Sequence, residues 1–188
     1  MPKYLYFAYG SNLFGDKLRH ICGFNAVMKD IGCIKNFRLD FQRYSKIYNG
    51  VSATIVQTEN SVVWGVIWEI DYCGLSSLNK KEGVQDNICR VLSMNVETPN
   101  GTVLRCRVYQ QCNNPKKYVK LADLPMDRRP IPFYLDTLLK GAQENNLPAD
   151  YIELLKTIPH NGYEEDDDSD FAYWKGTTIA RAMFLMGD

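Results

Sequence analysis

The sequence predicts an α+β domain, a mostly antiparallel, curved or barrel-like sheet with helices packed on its side. Three observations carry this. Strand signals bounded by turn residues dominate as far as residue 111. Asn100-Gly101 separates two alternating segments, and Asn-Gly is the strongest short hairpin signal. Helical periodicity is concentrated after the strands, in the region from Pro132 to Ile158. Strands first and helices after is an α+β pattern, not the alternation of βα units.

The elements follow in order. Tyr4–Tyr9 reads as a strand that stops at Gly10-Ser11-Asn12, and Leu13–Ile21 is helix-like. Gly32–Tyr44 alternates in part, with Ile34, Phe37, Leu39 and Phe41 as its apolar positions. Ser52–Gln57 and Val62–Ile70 flank Thr58-Glu59-Asn60-Ser61, which predicts a hairpin. Leu75–Lys81 is a short helix with Leu75 and Leu78 on one face, and Ile88–Glu97 and Thr102–Gln110 flank Pro99-Asn100-Gly101. Pro132–Asn145 carries Phe133, Leu135, Leu138, Leu139 and Ala142, and it stops before Pro148. Ala149–Ile158 then places Ile152, Leu155 and Ile158 on a shared face.

Composition limits the function classes. A chain of 188 residues, 45% hydrophobic and without an internal repeat, can bury one good-sized core. Residues 1–163 are expected to form one domain, followed by a tail, 164–188, that opens with the acidic run Glu164-Glu165-Asp166-Asp167-Asp168-Ser169-Asp170. Lys plus Arg equals Asp plus Glu at 22 each, so no overall field draws the protein to nucleic acid or to an anionic membrane. No apolar run is long enough to cross a bilayer, and the N-terminus enters a strand without a secretory pattern, so a cytoplasmic protein is expected. Six cysteines without a C-x-x-C pair suit reduced thiols. With only His20 and His160 besides, no metal site is expected.

The chemistry centres on two places. A buried strand ending in Gly10-Ser11-Asn12 can point backbone N–H groups at one spot and hold a carboxylate or an oxyanion; the plainer reading is a strand-to-helix turn with Ser11 or Asn12 as helix cap. Ser11 lacks a G-x-S-x-G elbow, and Asp16 and His20 make an unconvincing triad with it, so it reads as a loop hydrogen-bonder. Glu82, at the end of a short helix and before Gly83, can be aimed inward as a general base if poorly solvated, with Lys80 and Lys81 facing solvent; a surface helix-end glutamate is the alternative. Tyr109 and Tyr134 can lean over a pocket or pack in the core. Arg128-Arg129 can hold a carboxylate or lie in a solvated loop, and the loop is the expectation.

Taken together, Tyr6-Phe7-Ala8-Tyr9-Gly10-Ser11-Asn12-Leu13, Val63-Trp64-Gly65-Val66-Ile67-Trp68, Leu78 to Val84, Cys106-Arg107-Val108-Tyr109 and Lys140 to Pro148 resemble the γ-glutamylcyclotransferase family in order and spacing. The resemblance implies a small mixed, mostly antiparallel β-barrel with flanking helices. It also implies conversion of γ-glutamyl amino acids or dipeptides to 5-oxoproline and a free amino acid. Carried over by motif, Glu82 matches the family's acid/base glutamate, and Tyr6, Phe7, Ala8, Tyr9, Gly10 and Ser11 with Asn12 match the loop that binds the γ-glutamyl group. Tyr134 matches a substrate-contacting tyrosine and Tyr109 one near the pocket. No cofactor is implied, the partner is a small γ-glutamyl substrate, and a homodimer is consistent with the family. Two rivals stand beside this reading. One is cyclisation of γ-glutamylamines, whose family has a different corner after Tyr-Gly; the other is a non-catalytic γ-glutamyl-binding or regulatory module, against which the presence of Glu82 argues.

Overall fold

Five strands close into a barrel in the order β1-β3-β2-β4-β5. The structure, a computed structural model, describes residues 2–23, 25–45 and 50–163. The acidic run and the rest of the 164–188 tail lie outside the described residues. β1 (Lys3–Ala8) pairs antiparallel with the C-terminal part of β3 (Gly50–Asp71), from Lys3 opposite Asp71 to Ala8 opposite Val66. β2 (Val27–Ser45) runs antiparallel along β3, and β4 (Cys89–Glu97) forms a hairpin with β5 (Val103–Gln111) over the turn that holds Gly101 at φ 83°. Cys33 opposite Glu97 joins β2 to β4, and the parallel pair Tyr6 and Arg107 joins β1 to β5. That single parallel contact makes the sheet mixed.

The hairpin expected over Thr58-Glu59-Asn60-Ser61 is not a hairpin. Both flanking segments pair with β2 and continue in one direction: Lys35 lies opposite Val62 and Phe37 opposite Gln57. The extra residues are accommodated as a bulge, with Asn36 and Asn60 both at positive φ and the Asn60 N–H donating to Asn36 Oδ1 at 3.2 Å. Two further register shifts, between Met28 and Asp30 and between Phe41 and Tyr44, bend the pair. Bulges of this kind give long strands the coil that closing a small barrel demands.

Helices cover the barrel. A 3-10 turn, Ser11–Leu13, and α1 (Gly15–Cys22) follow β1, and α2 (Tyr72–Lys81) follows β3, starting where the Asp71 carboxylate accepts the Gly74 N–H at 2.8 Å. α3 (Pro132–Glu144) and α4 (Ala149–Lys156) come last. α3 crosses the turn so closely that a Cβ on Gly141 would overlap the Phe14 backbone nitrogen and come within 2.5 Å of the Leu13 carbonyl carbon. The apolar positions Phe7, Phe41, Ile55, Val66, Ile67, Trp68, Leu138 and Ala142 are buried in one core.

Buried charge sits under the same wall. Asp40 pairs with Arg128 and, at 2.9 Å, with Arg38 Nε, and all three are buried. Arg128 also donates to the carbonyls of Phe41 at 3.2 Å and Lys117 at 3.3 Å. The solvated-loop reading of Arg128 is therefore wrong: a guanidinium this enclosed persists because a carboxylate and two carbonyls satisfy it.

Candidate active site

The end of β1 and the end of α2 meet at a cavity of about 470 Å³. Tyr6, Tyr9, Gly10, Ser11, Asn12, Glu82, Tyr109 and Tyr134 all line it. Phe7 and Ala8 do not: both are fully buried in the core, with the Phe7 ring and the Ala8 carbonyl packed against Gly65. As loop residues that would bind a ligand, those two expectations are corrected. A strand buried on both faces carries apolar side chains that have no path to its open end.

Helix geometry aims Glu82. It is the C-cap of α2, and its N–H bonds the Leu78 carbonyl at 2.9 Å. Gly83 then turns left-handed at φ 64°, so that Gly83 N–H reaches Lys80 O at 3.1 Å and Val84 N–H reaches Asn79 O at 3.1 Å. These are the two bonds of a Schellman motif, which ends the helix sharply at the residue whose carboxylate lines the cavity. Lys80 and Lys81 face solvent.

The corner is held from three sides. Asn12 Nδ2 donates to the Tyr6 hydroxyl oxygen at 3.0 Å and to Glu82 Oε1 at 3.2 Å, so its amide group orients the carboxylate. The Tyr134 hydroxyl, from the first turn of α3, accepts from the N–H of Ala53 at 3.1 Å and of Ser11 at 3.4 Å. A Cβ on Gly10 would stand 2.9 Å from that same hydroxyl, which is why the position is glycine. Ser11 Oγ accepts a bond from the ammonium of Lys17. Neither Ser11 nor Asn12 caps a helix: Gly10 and Phe14 hold the cap positions, without side-chain bonds. The plain-turn reading fails because both polar side chains are committed to other partners.

The far wall is a second network. Tyr109 O–H donates to Asn79 Oδ1 at 2.7 Å, Arg107 Nη2 donates to the same oxygen at 2.6 Å, and Tyr109 packs edge-on against Tyr6 with centroids 5.7 Å apart. Tyr9 O–H reaches the Tyr109 carbonyl at 2.5 Å. Cys89 Sγ lies 3.9 Å from Glu82 Oε2.

This enclosure shifts the titrating groups. Burial raises the Glu82 pKa, opposed by the Lys17 charge, the Asn12 bond, Lys81 and Cys89. Burial lowers Lys17 to about 8, while Tyr134 and Glu82 oppose the shift. Burial, aided by Glu82, pushes the Cys89 thiol up to about 12, and burial likewise pushes Tyr109 up to about 12 against the Arg107 bond. Tyr6 and Tyr9 are also raised, by burial and then by Glu82. A carboxylate with a raised pKa, next to neutral hydroxyls and facing a cavity, can take and return a proton near neutral pH.

His20 and His160 are exposed and away from the cavity lining. Among the described residues no cluster of His, Cys, Asp and Glu is arranged to hold a metal, and no helix is long and apolar enough to cross a membrane. Sequence reading missed Lys17, Asn79 and Arg107. Lys17 had one available signal: it falls between Leu13 and Leu18 on a helix that must bury a face.

Comparison with known proteins covers most of the chain. A model of the AIG2-like family matches residues 62–155. A γ-glutamylcyclotransferase of Bos taurus is 34% identical over 165 residues, spanning 86% of this chain and 81% of the relative. One from Homo sapiens is also 34% identical, over 85% of this chain and 81% of its own. A solved structure of a γ-glutamyl cyclotransferase superposes with a TM-score of 0.78 at 32% identity, covering 88% of this chain and 93% of that one.

Proposed function

Because the chain belongs to the γ-glutamylcyclotransferase family, we propose that it folds γ-glutamyl amino acids or dipeptides onto themselves, releasing 5-oxoproline and the free amino acid. In such a substrate the α-amine and the γ-carbonyl are parts of one molecule, so no protein nucleophile is required. Holding them in attack geometry is worth on the order of 7–11 kcal/mol. The task of the site is to bend the substrate, relay protons from the attacking nitrogen to the leaving one and stabilise one oxyanion.

Glu82 is the proposed base. Its carboxylate takes a proton from the α-ammonium, the freed nitrogen attacks the γ-carbonyl, and the protonated acid returns that proton to the departing amine as its C–N bond breaks; the second proton shed by the ring nitrogen follows, so the amino acid leaves with its amine as ammonium. The observation that carries this is the Asn12 amide, which ties the Glu82 carboxylate to the corner at 3.2 Å inside one cavity. The Ser11 N–H is engaged by Tyr134, so the oxyanion role falls to the Gly10 and Asn12 amides, at roughly 3–4 kcal/mol per donor in comparable sites. Tyr6, Tyr9, Tyr109 and Tyr134 wall the γ-glutamyl chain and keep water from the ring closure.

The family resemblance supports a cytoplasmic homodimer working in glutathione metabolism as the setting. The test of the activity is chemical. Purified protein incubated with γ-glutamyl-alanine is expected to give equal amounts of 5-oxoproline and alanine, and α-glutamyl-alanine, whose linkage cannot close this ring by the same attack, is expected to stay intact. Absence of 5-oxoproline at any pH from 6 to 9 would remove the proposal.

A further inference from the structure

Lys17 is a buried cation in a place that disfavours one. Its residue is 8% exposed, it sits in the first turn of α1, where the helix dipole repels positive charge, and it lies between the corner and α3. Its ammonium donates to Ser11 Oγ and lies 5.9 Å from the centre of the Tyr134 ring. An ammonium can only donate, so the Ser11 oxygen must accept from it and the serine's own proton must point elsewhere. Ser11 lines the cavity.

Resting on the cyclotransferase reading, we infer that Lys17 is a positioning residue of the reaction: by donating to Ser11 Oγ it turns the Ser11 hydroxyl into a donor aimed at the substrate's γ-carbonyl oxygen, in the cavity that Glu82 also lines. Its second effect falls on Glu82, to which it offers a positive charge that the other groups around the carboxyl do not match. Tyr6 on β1, Tyr9 just after it, Cys22 on α1, Cys89 on β4 and Tyr109 on β5 all have raised pKa values and stay neutral at pH 7. The two lysines, Lys17 and Lys81, lower the Glu82 pKa, and Lys17 is the larger influence. Lys81, Lys80, Arg43 and Asp86 stand exposed at the mouth, where solvent screens them.

The experiment combines kinetics on γ-glutamyl-alanine with carbon-13 titration of the Glu82 carboxyl, assigned by its loss in Glu82→Gln. Lys17→Met is expected to lower kcat by about tenfold or more and to move both the acid limb of kcat/KM and the Glu82 midpoint up by about one pH unit. Lys17→Arg, which keeps the charge and the donor, restores most of both. In a Ser11→Ala background Lys17→Met costs much less in kcat, because its hydroxyl target is gone. Should Lys17→Met fail to fold, as near-ultraviolet circular dichroism reveals, Lys17→Gln gives the same readouts with a neutral donor. An unmoved Glu82 midpoint, or independent effects of Lys17→Met and Ser11→Ala, overturns the inference. A wild-type protein that makes no 5-oxoproline sinks the cyclotransferase reading instead, and the midpoint shift, measured without substrate, still decides whether Lys17 acts on Glu82.

Discussion

Glu82 carries a cost to the fold that its pKa makes measurable. Burial raises it above the ordinary 4.5, so between that value and the raised one the folded chain keeps a proton that the unfolded chain has lost. Stability therefore falls as pH rises through this window, and the full cost is present above it. Glu82→Gln removes the charge and keeps the shape, so the variant is expected to melt at a higher temperature than wild type at pH 7, with the gain disappearing below about pH 4. Equal melting temperatures at pH 7 would mean that the carboxylate is well solvated. At this scale Glu82, the corner and the tyrosines were visible in the sequence through motif and spacing. The partners were not. That the Asn12 amide would serve Glu82, 70 positions away, depends on how elements pack, which no local pattern encodes.

At the scale of elements, the end of α2 controls the carboxylate. Gly83 is left-handed, and a Cβ there would stand 2.5 Å from Ile88 Cδ1. Gly83→Ala adds roughly 1–2 kcal/mol of backbone strain and pushes the C-cap away from the cavity. A lowered melting temperature together with a reduced kcat is expected, measured by thermal denaturation and by 5-oxoproline release; unchanged kcat would show that the cap does not set the Glu82 position. Element type was legible where a mechanism was local, as in the Asn100-Gly101 hairpin and the helix opened by Pro132. It failed at Thr58-Glu59-Asn60-Ser61, because turn-forming residues make a reversal or a bulge according to the partner strand. Here β2 continues straight past, with Asn36 ready to bond Asn60, and the bulge wins.

Across the whole molecule, a closed barrel needs its long bent strands pinned, and the Arg38, Asp40 and Arg128 cluster does this between β2 and the loop before α3. Asp40→Asn leaves two buried guanidiniums without their counter-charge, at a cost of about 3–5 kcal/mol. For a domain of this size the melting temperature is expected to drop by roughly 10 °C. A drop of only a degree or two would mark the cluster as solvated. The α+β class and helix placement followed from strand and helix order, and the family resemblance implied the barrel; element order alone left closure open, since it rests on the bulges and on contacts such as Tyr6 with Arg107. What the barrel achieves for function is to bring the end of its first strand against the end of a helix 70 residues later, with a cavity between them. The measurement that bears most directly on this account is the turnover of γ-glutamyl-alanine by Glu82→Gln. With near-ultraviolet circular dichroism unchanged, kcat is expected to fall by about 10²–10⁴-fold; a folded Glu82→Gln that releases 5-oxoproline at the wild-type rate would contradict it.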